Sequence, residues 1–151
     1  MTVGREYPER PVVGVGGVVI SEGHTLLIRR SGPPLQGEWS IPGGTLETGE
    51  TMREGVRREL REETGVDVRV GEMIEVFERI FPDAQGRSQY HFVILDFLCE
   101  FKGGVAKAAS DVIEVTWAAK DELEGFHLTP TALRVIRKAF EMWRESGAPS
   151  K

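Results

Sequence analysis

Apolar, β-branched residues fill Val12 to Ile20 (VVGVGGVVI), broken only by Gly14, Gly16 and Gly17. Such a run predicts a central strand, with the glycines marking places where neighbours come close. Ser21-Glu22-Gly23-His24 reads as a turn and Thr25 to Arg30 as a second strand, giving a hairpin. His24 is then a solvated turn residue. Residues 31–37 (SGPPLQG) form a loop. The periodicity changes to 3.6 over Thr51–Thr64, where Thr51 and Glu54 have capping-box spacing and Gly65 is placed to stop the helix. A second helix is predicted over Thr131–Glu145, with Leu133, Ile136, Phe140 and Trp143 on one face and Thr129 or Thr131 as its cap. Between the helices lie strand candidates at Val66–Ile80, Gln89–Phe101 and Val112–Ala118. Mixed strands with a central and a C-terminal helix predict an α/β sandwich around a mixed sheet.

No linker divides the chain. Residues 1–11 read as an N-terminal arm, 12–146 as one domain and 147–151 as a tail. Apolar residues make up 40% and charged residues 28% of the 151, a globular balance. The net charge of -5 disfavours non-specific nucleic-acid binding, which needs a basic surface. No run approaches a membrane span, and Met1–Arg10 has no apolar signal-peptide core. The single cysteine, Cys99, lies in an apolar run and reads as a packed thiol. A reducing cytoplasm is the expected setting.

Drawn on a wheel, the first helix carries Met52, Val56 and Leu60 on its core stripe. Glu59, Glu62 and Glu63 gather on the adjoining arc, with Gly55 one turn before Glu59, and Arg53, Arg57 and Arg61 point towards water. Converging carboxylates beside a buried stripe repel one another unless a cation joins them. Oxygen donors without His or Cys favour Mg²⁺ or Mn²⁺. Gly55 would leave room there for metal or phosphate.

The segment Gly44-x5-Glu50-x7-Arg58-Glu59-Leu60-x-Glu62-Glu63-x-Gly65-Val66 resembles the signature of the Nudix hydrolases, GX5EX7REUXEEXGU with U apolar, at every defined position. Its lead-in, Trp39-Ser40-Ile41-Pro42-Gly43-Gly44, is also similar, and the predicted elements suit the family's α/β/α sandwich over about residues 11–145. The resemblance implies a metal-dependent pyrophosphohydrolase. Glu59, Glu62, Glu63 and the Gly44 carbonyl would be the metal ligands, and Glu62 and Glu63, with Arg58 and Asp111, the catalytic residues. Arg58 would pair with Glu50 or a helix acid. A later acid would serve as base or extra ligand. Asp111 and Glu114 are the candidates, and Asp111 is preferred because it follows the stretch Gly103–Ser110.

Three features lean towards ADP-ribose, cleaved to AMP and ribose 5-phosphate. Pro82 falls at the offset of a proline marker of ADP-ribose pyrophosphatases, and Tyr7-Pro8-Glu9-Arg10-Pro11 resembles the start of small members with that activity. The sequence blocks of NADH-hydrolysing and dinucleoside polyphosphate-hydrolysing members are missing. Arg29, Arg30 and Arg79 are candidates for phosphate or ribose, and Trp39 or Phe81 for stacking on a base; Arg87 and His91 are weaker candidates. Alternatives are a nucleoside triphosphate pyrophosphohydrolase and a non-catalytic nucleotide sensor. A homodimer is expected, with the N-terminal arm crossing to the second copy.

Overall fold

The computed structural model describes residues 5–146. The tail at 147–151 and the first four residues of the arm lie outside them. Strand β1 (Val12–Ser21) and β2 (His24–Arg30) are followed by two short strands, β3 (Trp39–Ser40) and β4 (Gly43–Thr45). Helix α1 (Met52–Thr64) comes next. The long strands β5 (Asp67–Pro82) and β6 (Ser88–Gly103) follow, then β7 (Val112–Ala119), a 3₁₀ segment (Lys120–Phe126) and helix α2 (Pro130–Glu145).

These strands form one sheet, in which β1 runs parallel to β6 and the other pairings are antiparallel. The hairpin β1–β2 is joined only near its turn, at Ile20–Thr25 and Ser21–His24. Beyond that the two strands part. The segment Trp39–Thr45 fills the gap, β3 pairing with β2 and β4 with β1. This opening in the sheet exposes Gly14, Val15, Gly16 and Ile28 to a cavity.

Alternation along the strands sends side chains to two cores. Val15, Val19, Leu26, Phe97 and Cys99 meet Val56 and Leu60 of α1. Val18, Ile20, Leu27 and Leu98 meet Val135, Ile136 and Phe140 of α2. The sheet therefore lies between two helices, as the sequence predicts. Gly17 permits the closeness on the α1 side, since a Cβ there would stand 2.9 Å from Leu60 Cδ1 and from Cys99 Sγ. Cys99 is a buried thiol whose pKa burial pushes up to about 12.

Both helices are capped as their sequences indicate. Thr51 and Glu54 form a reciprocal capping box, Gly65 closes α1 in a left-handed conformation, and Thr129 caps α2 ahead of Pro130. Two expectations for α1 need correcting. Met52 is 39% exposed, because the buried face runs through Gly55, Val56, Leu60, Glu63 and Thr64 and the first turn lies off it. Gly55 makes room for the loop rather than a ligand: a Cβ would stand 2.7 Å from Leu46 Cδ1 and 3.1 Å from Glu50 Oε1.

The described part of the arm runs along the β5–β6 ribbon. It folds back on its own chain, with the Tyr7 N–H donating to the Gln89 carbonyl at 2.7 Å and the Tyr7 hydroxyl to Asp83 at 2.9 Å. Arg87 lies over the Tyr7 ring. Arg5 reaches the Pro33 carbonyl and covers the Phe92 ring, 5.5 Å from its centroid. Among the described residues, no helix is long and apolar enough to cross a membrane.

Candidate active site

A cavity of about 340 Å³ opens at the split in the sheet, large enough for a nucleotide-sized ligand by the usual range of roughly 300–1,000 Å³. One wall comes from α1 and the β4 loop, and contributes Gly43, Gly44, Glu59, Glu62 and Glu63.

Arg58 organises this wall. Its guanidinium grips Glu50 bidentately at 2.7 and 3.0 Å, and donates to Glu59 at 2.9 Å, to Glu62 at 3.1 Å and to the Thr45 carbonyl at 3.0 Å. The signature loop is thereby fastened to the helix. Arg58 raises its own pKa by these contacts, chiefly with Glu50, and holds Glu50 below the ordinary carboxylate value.

The acids nearer the sheet behave differently. Glu63 is 7% exposed and accepts from the Gly43 N–H at 3.0 Å. Burial, and then the charge of Glu59, push its pKa up to about 8. Burial likewise raises Glu59, although Arg58 pulls the other way. Asp111 adds to the repulsion on both. Such a surplus of oxygen-borne charge suits a divalent cation. Gly44 fits the same reading, because any Cβ there would collide with the Glu59 carboxylate, so the backbone and that side chain are in close contact. The cage is not preassembled, however. Among the described residues, no three Asp, Glu, His or Cys side chains stand ready around a single metal position. Glu62, with 54% of its side chain exposed, is turned to Arg58 and would have to rotate to join Glu59 and Glu63 around a cation.

The opposite wall is basic and aromatic. Arg30, Arg79, Trp39 and Phe81 all line the cavity. Arg30 donates to the Pro34 carbonyl at 2.8 Å, and burial followed by the charge of Arg5 lowers its pKa. Arg79 lies over the Phe81 ring, 5.1 Å from its centroid, and Trp39 is set edge-on against Phe126.

Four of the sequence candidates, Arg29, Arg87, His91 and Glu114, stand elsewhere. Arg29 is not on the cavity wall. The β2–β7 register sets it opposite Glu114, to which it donates at 2.9 Å, and it also donates to the Gly37 carbonyl. The same pairing removes Glu114 from the cavity. Asp111 is on the wall, where its backbone carbonyl anchors Ser31. His91, too, is off the wall, 4.0 Å from Glu78.

Two lining residues were not foreseen. Arg5 comes from the arm, and nothing in the local sequence marks it. Asp96 lies on β6 inside the apolar stretch Phe92–Phe97, and a lone charge in a buried-strand pattern was the available signal.

Comparison with known proteins agrees with this geometry. A family model described as the NUDIX domain matches residues 10–140. A MutT-like protein of Streptomyces ambofaciens is 37% identical over 125 residues, covering 82% of this chain and 74% of that protein. An ADP-ribose pyrophosphatase of Methanocaldococcus jannaschii is 36% identical over 104 residues, covering 69% of this chain and 59% of that protein. The crystal structure of a MutT NUDIX hydrolase from Burkholderia pseudomallei superposes with a TM-score of 0.74 at 28% identity, covering 86% of this chain and 98% of that one. The NUDIX domain of Shewanella oneidensis NrtR, crystallised with ADP ribose, shares the fold at a TM-score of 0.73 and 22% identity, covering 89% of each chain. The chain belongs to the Nudix hydrolases, pyrophosphohydrolases that depend in general on a divalent metal and act on nucleoside diphosphate derivatives.

Proposed function

We propose that this enzyme hydrolyses ADP-ribose to AMP and ribose 5-phosphate with Mg²⁺ or Mn²⁺. The observation that carries the reading is the pairing, in one cavity, of the carboxylate wall of α1 with a wall of arginines and aromatic rings. A diphosphate ester needs the first for a cation and the second for its remaining oxygens and an organic group. The pyrophosphatase relative of M. jannaschii supports the choice of ADP-ribose.

Each residue then has a task. Glu59, Glu62, Glu63 and the Gly44 carbonyl hold the cation. When bound, that ion neutralises phosphate oxygens and makes a water easier to deprotonate. Arg58 keeps Glu50 and Glu59 in register and releases Glu62 to the cation. Arg30 and Arg79 take non-bridging oxygens, and Trp39 and Phe81 flank the organic groups. Glu63 or Asp111 accepts the proton of the attacking water. The water oxygen bonds to one phosphorus while the bond from that phosphorus to the bridging oxygen breaks. Ser31, Ser40 and Ser110 line the cavity, but among the described residues no His stands on that wall to activate them, so direct attack by water is expected rather than a covalent enzyme intermediate.

The purified chain is to be assayed against ADP-ribose, sugar nucleotides, NADH, dinucleoside polyphosphates and nucleoside triphosphates, including oxidised ones. ADP-ribose should give the highest kcat/KM, EDTA should abolish turnover and Mg²⁺ or Mn²⁺ should restore it. In ¹⁸O-water one label should enter the phosphate of one product. Inert ADP-ribose rejects the substrate, and full turnover in EDTA rejects the metal role. One observation favours a second reading: Arg5, Arg30 and Arg79 make no ion pair with a described acid, and a third phosphate would match their surplus charge. That is the nucleoside triphosphate pyrophosphohydrolase, and release of pyrophosphate in the same screen would select it.

A further inference from the structure

Asp96 is the one buried acid of the cavity without a partner. Glu59 is held by Arg58 and Glu63 by the Gly43 N–H, whereas no hydrogen bond or ion pair among the described residues ends on the Asp96 carboxyl. The residue is 3% exposed. No fully enclosed side-chain oxygen or nitrogen lacks a partner among the described residues, so the small access that the carboxyl keeps is through the cavity it lines.

The surroundings are built around this group. β6 places Asp96 between Gly16 of β1 and Glu75 of β5. Any Cβ at Gly16 would collide with Asp96 Oδ1, so the glycine leaves the space that the carboxyl occupies. Ile41, Phe77, Ile94 and Ala132 also line the cavity. On this stretch of an otherwise charged wall Asp96 stands beside apolar side chains, and such a group can orient a flat heterocycle. A buried polar group left unpaired is costly, and a ligand that supplies its partner recovers that cost.

We propose that Asp96 is a specificity-determining residue that reads the nucleobase of the substrate by accepting a hydrogen bond from the 6-amino group of adenine. The inference rests on the reading of the cavity as a nucleotide site and deepens it. Charge supports it. Burial, and then Glu75, push the Asp96 pKa up to about 7. Glu75 is itself bound by Arg134 of α2, and the buried thiol of Cys99 is the other titratable group coupled to Asp96. Near neutrality the carboxyl can therefore carry a proton, and in that form it also donates to the adjacent ring nitrogen. Adenine presents an amino donor beside a ring acceptor, so both bonds are made.

The test uses binding of products, so it does not depend on which diphosphate is cleaved. AMP and purine riboside 5′-monophosphate, which lacks only the 6-amino group, are titrated calorimetrically into the full chain in Mg²⁺. Wild type should prefer AMP by roughly tenfold to a hundredfold, the range for one hydrogen bond to a polar or charged group. Asp96→Asn keeps one donor and one acceptor and should hold that ratio within about threefold. Asp96→Leu and the smaller Asp96→Ala should bring it to about one, with thermal melts reporting that each variant is folded. A wild type that binds the two ligands equally, or binds neither, overturns the proposal. So does a folded Leu or Ala variant that keeps the wild-type ratio. Should ADP-ribose prove inert while the AMP preference vanishes with Asp96, the substrate reading fails and the role of Asp96 stands.

Discussion

Arg58 and the group Arg5, Arg30 and Arg79 line the same cavity, yet their charges are treated in opposite ways. Arg58 is surrounded by Glu47, Glu50, Glu59 and Glu62. The other three form no ion pair with any described acid. They rest on carbonyls and ring faces, and on Arg30 the charges of Arg5 and Arg79 are opposed by those of Glu63 and Asp111 without a direct ion pair. A neutralised arginine holds the protein to itself, whereas uncompensated arginines on a cavity wall are free to take an anion from solution. On this reading the acidic wall is a frame for the cation, fastened to the signature loop through Arg58 and Glu50, and the basic wall is the part left to take the substrate's remaining anionic oxygens. Substitutions on each side test that division.

The largest effect is expected at Glu63, the acid of the frame that Arg58 does not touch. Glu63→Gln should lower kcat by about 10²–10⁴, the scale for losing a ligand or a general base. Metal-free stability should move the other way. The folded state holds the Glu63 proton up to about pH 8, while an unfolded glutamate releases it near the ordinary value of about 4.3. Its contribution is thus fully present below that lower value and is lost as pH rises towards 8. Urea unfolding in EDTA should show wild type weakening across this window and the Gln variant weakening less. Asp96, raised in the same direction, leaves some slope in both. Equal slopes would show that Glu63 carries no such proton.

Arg58→Lys should come next. Lysine keeps the charge but not the fork that spans Glu50, Glu59 and the Thr45 carbonyl. We expect kcat to fall roughly tenfold, with a drop of several degrees in the melting temperature, at about 2–4 °C per kcal/mol for a chain of this size. Unchanged melting would mean that the frame is held by something else.

Arg30→Ala sharpens the comparison from the other wall. KM should rise about tenfold with a smaller change in kcat, as for a group that binds ground state and transition state alike. Melting should change little, because the lost repulsion from Arg5 and Arg79 is offset by the lost attraction to Glu63 and Asp111. A loss confined to kcat would assign Arg30 to the chemistry instead.

The smallest effect is expected at Arg29. Its partners, Glu114 and the Gly37 carbonyl, lie off the cavity, and the ion pair is exposed. Arg29→Ala should leave kcat/KM within about twofold, since exposed pairs contribute little. A tenfold loss would put Arg29 back in the site.

These contrasts also mark what the chain discloses about itself. The boundaries of α1 were legible because its caps are local: Thr51 and Glu54 at one end, Gly65 at the other. The long strands were legible from their apolar residues, and the resemblance to the family signature assembled the acidic wall. The strands β3 and β4 were not, since two or three residues have no period and are defined only by what they pair with. Arg29 and Arg30 are neighbours in sequence, and only the β2–β7 register and the turn after β2 send one to Glu114 and the other into the cavity. Met52 was misread because amphipathicity fixes the stripe of a helix but not how far the sheet extends beneath it.

The parallel pairing of β1 with β6 has a consequence for how the enzyme comes into being. It joins residue 12 to residue 92 and residue 16 to residue 96, across most of the intervening chain. Closing so long a loop is entropically slow, whereas the β5–β6 ribbon forms between near neighbours. The ribbon should therefore precede β1, and the cavity that Gly16 and Asp96 both line should exist only after β1 has docked. During synthesis no binding site is present until nearly the whole domain has emerged. A nucleotide then cannot guide early folding, and its binding should act by slowing unfolding of the finished enzyme.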